Sequence, residues 1–170
     1  MSVAVGLSFT GCGNSSNGGS TGSSFEPVPL IDKDYAGVLF QSDDASDPEI
    51  DVCLQCDGTL RITITTGEQD ESFSGSGSEK QLSKNTYQII PSGTELTSNT
   101  CEMTCNALIL TIPEGQLEAY REGKNVTGAT LYVDFTHTAG ASCPLNQGSP
   151  WTIKNTITGD IKQWTDIPPR

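Results

Sequence analysis

Histidine occurs once in the 170 residues, at His137. A single imidazole excludes any site that needs two within one chain, including His–His metal sites and the H-E-x-x-H zincins. Basic residues are also few: nine Lys+Arg stand against 21 Asp+Glu, a formal net charge of −12. Such a chain has no basic footprint for phosphate, so no nucleic acid is expected as a partner. Simple electrostatic docking on anionic lipid is excluded on the same ground. No apolar run approaches the roughly 20 residues that span a bilayer. G-x-G-x-x-G and P-loop signatures are absent, which removes the common phosphate-cradling motifs. Charged residues make up only 18%, below the roughly 25% usual in soluble domains.

Ser, Thr, Asn and Gly fill that gap, so the chain solvates itself with hydroxyls and amides. This composition is common in exported β proteins. Eighteen glycines and nine prolines imply many turns and favour short strands over long helices. The length suits one domain.

Residues 1–11 form a signal-like segment, with an apolar stretch from Val3 to Phe9 that ends in small residues before Cys12. Residues 12–24 are rich in Gly, Ser and Asn, and after Cys12 no side chain exceeds Asn or Thr in size. That stretch cannot build a core and is expected to act as a flexible tether. The arrangement resembles the export signal of bacterial lipoproteins, with Phe9-Thr10-Gly11-Cys12 in the place of the lipobox. The resemblance covers only this N-terminal part. It implies removal of the signal, lipidation of Cys12 through its sulfur, and anchorage to a membrane. The competing reading is a plain N-terminus whose Cys12 joins a disulfide.

Residues 25–170 read as an all-β domain. Leu60, Ile62 and Ile64 alternate with Arg61, Thr63 and Thr65 after the Asp57-Gly58 turn, the pattern of a half-buried strand. Ala36 to Gln41, Thr86 to Pro91, Leu108 to Ile112 and Leu131 to Phe135 repeat it. Trp151 to Ile157 does so too, and a Thr158-Gly159-Asp160 turn is expected before Ile161 to Trp164. Gln116 to Glu122 is the one helix-like stretch, and Gly67 to Ser78 reads as an exposed loop. About seven short strands separated by turn signals predict an antiparallel β-sandwich or jelly-roll. The absence of βαβ alternation argues against a parallel sheet.

Cysteines stand at 12, 53, 56, 101, 105 and 143. Three readings of Cys53, Cys56, Cys101, Cys105 and Cys143 compete. They staple loops as structural disulfides of undetermined pairing, as an oxidising compartment favours. Or Cys53, Cys56, Cys101 and Cys105 hold zinc as four thiolates. Or Cys53-Leu54-Gln55-Cys56 is a redox dithiol, although Asp51 and Asp57 beside it would raise its pKa.

Asp43, Asp44, Asp47, Glu49 and Asp51 form an acidic loop whose oxygens suit calcium, without an EF-hand pattern; a solvated acidic loop is the simpler reading. Catalytic signals are weak. His137 continues the inward phase of Leu131, Val133 and Phe135, and Ser74-Gly75-Ser76-Gly77-Ser78 has no strand–turn–helix setting for a nucleophile elbow. Tyr132 is expected to face outward and Trp151 to join the core. No cofactor is expected apart from calcium in that loop.

The expectation for function is an exported, lipid-anchored, non-catalytic protein for binding or assembly at the bacterial cell envelope. Its place would be the outer membrane or cell surface, or the extracellular space without the anchor. Its partners would be the membrane, through the anchor, and a surface ligand or protein of unknown identity. The alternatives are a structural subunit of an extracellular polymer and a Cys-rich zinc or redox protein.

Overall fold

A computed structural model of the chain describes residues 25–93, 95–139, 143–145 and 151–165. The signal-like segment and the tether, Cys12 included, lie outside them. The element order is β1 (Gly37–Ser42), β2 (Glu49–Gln55), β3 (Thr59–Thr66), β4 (Gln69–Ser83), β5 (Thr86–Pro91), β6 (Glu95–Thr97), β7 (Glu102–Thr111), a 3-10 turn (Glu114–Gln116), α1 (Leu117–Arg121), β8 (Val126–Ala139) and β9 (Thr152–Trp164). Among the described residues the protein is all-β with one short helix.

The strands form one sheet in the order β3-β2-β1-β9-β8-β7-β5-β4-β6, and β3 also pairs with β4. That extra pairing closes a ring of eight antiparallel strands, each beside its neighbours along the chain. The seam joins the first and last strands: Gly37 lies opposite Trp164, and Ser42 opposite Gly159. The short β6 bridges the wall between β4 and β7.

The predicted sandwich or jelly-roll is therefore a closed up-and-down barrel, with nine strands among the described residues rather than about seven. Alternation reports which side chains share a face. It does not report whether that face belongs to two stacked layers or to one sheet rolled on itself. The interior is filled by the predicted alternating residues: Leu60, Ile62, Ile64, Leu108, Ile112, Leu131, Val133 and Phe135 are completely buried. Each such side chain contributes about 1.5–3 kcal/mol when removed from water. An eight-stranded ring encloses a space that side chains of this size can fill.

Two further departures concern strands. The predicted loop from Gly67 to Ser78 lies mostly in β4, whose first half pairs with β3 and second half with β5. Its inward positions start at Phe73 and continue through Gly75, where a Cβ would stand 2.6 Å from Leu96 Cδ2. The low apolar content reflects a neighbour occupying that space, not a loop. The predicted Thr158-Gly159-Asp160 turn is likewise the middle of β9. Gly159 passes so close to β1 that a Cβ there would lie 2.1 Å from the Gln41 carbonyl oxygen.

Candidate functional site

Antiparallel strands place alternate connections at opposite ends of the barrel. One end carries the start of β1, the β2–β3 turn, the end of β4 and α1. The other carries the acidic β1–β2 loop, the start of β7 and the β8–β9 connection.

At the first end, residues 28–32 run as a strap across the mouth. The inward phase of β4 delivers Glu79 and Gln81 to it. Glu79 Oε2 accepts the Leu30 N–H at 2.6 Å, and Gln81 Oε1 accepts the Val28 N–H at 2.7 Å. Tyr87 and Tyr120 donate their hydroxyls to the Val28 and Leu30 carbonyls at 3.1 and 2.5 Å. Arg121 donates to the Pro29 carbonyl and to the Tyr87 hydroxyl, and lies 3.6 Å from Asp32. Gln163 accepts the Asp32 N–H and donates to the Tyr120 carbonyl.

This network satisfies the strap's backbone groups as they leave water, which is the condition for burying them. Burial pushes the Glu79 carboxyl up to about 7, opposed by the Leu30 and Ile31 amides and by Arg121. Burial also raises the Tyr87 and Tyr120 phenols, with Arg121 acting against it. The groups face one another, so their role is closure of the barrel end. None of these residues stands out in the sequence. Glu79 and Gln81 become legible only once the Ser/Gly segment before them is known to be a strand, because they then share the phase of Phe73.

At the opposite end, Cys101 and Cys143 form a disulfide with a Cα–Cα distance of 4.9 Å, and both are buried. A turn before β7 holds Cys101, whose N–H donates to Ser98 Oγ at 2.8 Å. His137, near the end of β8, is 1% exposed. Its ring stacks on Trp151, with centroids 5.2 Å apart and planes 12° apart. The expected inward phase of His137 is correct, and Trp151 packs against the core as expected.

The other cysteines among the described residues do not join this pair. Cys53, Cys56 and Cys105 are free thiols. Cys53 is on an outward position of β2 and Cys56 follows that strand at the strap end, whereas Cys101 precedes β7 and Cys105 lies near the start of that strand. The four-thiolate set of Cys53, Cys56, Cys101 and Cys105 is thus divided between the two ends. Burial raises the Cys53 thiol, opposed by Arg61, and burial with the nearby Asp134 pushes Cys105 up to about 12. Neither has the lowered pKa of a redox nucleophile.

The acidic residues occupy the β1–β2 loop and the start of β2. Asp43, Asp44 and Asp47 are exposed, while Glu49 and Asp51 are half-buried. Asp51 accepts the Ser42 N–H at 3.2 Å, and burial raises its carboxyl. These carboxylates are not gathered to ligand spacing. Among the described residues, the group of His, Cys, Asp or Glu side chains that is gathered so is Cys101, His137 and Cys143, with ligand atoms within 4.8 Å of one another.

On the outer wall, an open depression of about 530 Å³ is lined by residues that include Arg61, Asp70, Glu71, Ser74, Ser98 and Asn99. Its lining offers hydroxyls, an amide, one guanidinium and two carboxylates. Ser74 to Ser78 belongs to β4; the serines face out along a strand, which is no setting for a nucleophile elbow. Tyr132 points outward on β8, half-buried, as predicted. Among the described residues, no helix is long and apolar enough to cross a membrane. No family model, no curated protein and no solved structure matches the chain.

Proposed function

We propose that this chain is an exported, lipid-anchored, non-catalytic β-barrel module that binds or assembles at the bacterial cell envelope through its outer surface. The observation that carries the reading is the buried Cys101–Cys143 disulfide, a bond that persists where thiols are oxidised, outside the cytoplasm. The N-terminal Phe9-Thr10-Gly11-Cys12 and the tether after it supply the anchor and the reach. The packed interior directs recognition to the wall and the ends, where the depression beside Arg61, Asp70 and Ser74 offers polar groups to a hydrophilic surface ligand or protein.

The polymer alternative relies on strand addition, which needs an open sheet edge. The closed ring removes that edge from its eight strands, so binding is the better reading.

The test is the non-reduced intact mass of the protein recovered from its native cell envelope. Loss of residues 1–11, an added acyl mass on Cys12 and a two-hydrogen deficit for the disulfide are expected. A mass that retains Met1 without acyl groups would overturn the anchor. Six free thiols would overturn export. Replacement of Cys12 by Ser is expected to release the protein from the membrane fraction with its barrel intact.

A further inference from the structure

We propose that Cys101, His137 and Cys143 form a latent site for one soft divalent cation, with zinc as the type, masked while the disulfide is intact and opened when a dithiol reduces it. This assignment goes beyond the proposed function and depends on neither the anchor nor the binding surface.

His137 carries the argument. It is 1% exposed, and neither Nδ1 nor Nε2 has a hydrogen-bond partner among the described residues. Buried polar groups are nearly always paired, so an orphaned imidazole calls for an explanation. The ring is nevertheless well held. Trp151 stacks on it, and its own backbone N–H donates to the Trp151 carbonyl at 2.9 Å. An oriented imidazole with free lone-pair capacity is what a metal ligand requires.

The two sulfurs complete the set. The ligand atoms of all three residues lie within 4.8 Å of one another. Tetrahedral zinc, with Zn–S near 2.3 Å and Zn–N near 2.0–2.1 Å, places sulfurs about 3.7 Å apart and sulfur and nitrogen about 3.5 Å apart. In the disulfide the two sulfurs are bonded to each other, so reduction must let them part to that spacing, with the imidazole already within 4.8 Å of both. Neither Cys101 nor Cys143 lies within a strand; the Ser98 turn holds the Cys101 backbone through its N–H and carbonyl, so the shift falls to the side chains.

The chemistry selects the cation. Disulfide sulfurs are poor ligands, and the thiolate is the form that binds metal. Two thiolates and an imidazole favour zinc or copper(I) over calcium or magnesium. Two thiolates also cancel the charge of a divalent ion, so the complex with neutral His137 carries no net charge into a buried place. A water takes the fourth position.

The steps balance. The dithiol gives two electrons and two protons to the Cys101–Cys143 bond, leaving two thiols and a cyclic disulfide on the reductant. Zinc then displaces the two thiol protons and forms two Zn–S bonds and one Zn–N bond, with no change in its own oxidation state. This end of the barrel is stapled in both states, by a disulfide or by a metal.

The test uses the full chain with Cys12, Cys53, Cys56 and Cys105 replaced by Ser, so that only the proposed thiols remain. The protein is reduced with a dithiol, freed of it without air, and titrated with Zn²⁺ against a chromophoric chelator. One zinc per reduced chain and none per oxidised chain are expected. His137→Gln is expected to weaken the reduced site at least about tenfold, while the oxidised variant keeps its barrel signal in circular dichroism. If reduction unfolds the chain, recovery of that signal on adding zinc supports the site, since binding then drives folding. Absence of stoichiometric zinc, failure of zinc to restore the fold, or unchanged affinity in His137→Gln would each overturn the proposal.

Discussion

The strap that closes the first barrel end is held by a carboxyl with a large electrostatic cost, which makes stability depend on pH through one residue. Glu79 has an ordinary value of 4.5 and is pushed up to about 7 by burial, against the opposing pull of the Leu30 and Ile31 amides and Arg121. A raised carboxyl favours the fold in its neutral form. Its contribution is fully present below about pH 4.5 and is lost as pH rises through about 7. A difference of about 2.5 units at 1.36 kcal/mol each corresponds to about 3 kcal/mol. Replacing Glu79 by Gln removes the charge and keeps an amide oxygen where Oε2 accepts the Leu30 N–H. Urea unfolding of both proteins from pH 4 to pH 8 isolates the residue, because every other titrating group is common to them. Relative to the original chain, Glu79→Gln is expected to gain about 3 kcal/mol across that range, with unchanged denaturant slope. Stability curves that run parallel from pH 4 to pH 8 would refute the reasoning.

Three more outcomes are expected. Replacing Cys101 and Cys143 together by Ala opens a cross-link spanning 42 residues; chain entropy then predicts a loss of about 4 kcal/mol and a calorimetric Tm lower by about 8–16 °C, and an unchanged Tm would count against it. Gly159→Ala forces a Cβ against the Gln41 carbonyl and Phe40. It should cost about 1–3 kcal/mol and expose β1 and β9 amides to hydrogen exchange before the rest of the barrel. In iodoacetamide labelling at pH 8, Cys56 is exposed and should react first. Cys105, pushed up to about 12, should react last; peptide mapping that shows equal rates would contradict the burial argument.

Much of the barrel wall was legible in one dimension. The alternation of Leu60, Ile62 and Ile64, and of Leu131, Val133 and Phe135, named inward side chains that are all completely buried. The helix near residues 116–122 followed from the same kind of reading, since α1 covers Leu117–Arg121. Three strands escaped: the short β6, and β2 and β4, whose residues send the wrong local signal. β2 begins in an acidic run, and β4 is built of Ser, Gly and charged residues whose ladder bonds come from β3 and β5 rather than from propensity. Of the candidate site residues, His137 was legible as inward-facing, but nothing in its neighbourhood along the chain points to Cys101 or Cys143.

The sequence by itself determined the all-β class and which side chains are apolar on one face, because the two-residue period of a strand is a local property. Tertiary structure alone decided that the sheet closes. Closure rests on Gly37 meeting Trp164, and a strand's edge carries no mark of the distant strand it will pair with. The same holds for the pairing of Cys101 with Cys143 and for the strap's hold on Glu79 and Tyr120. These contacts depend on which groups a ring of fixed circumference brings together at its two ends, and no local pattern encodes that meeting.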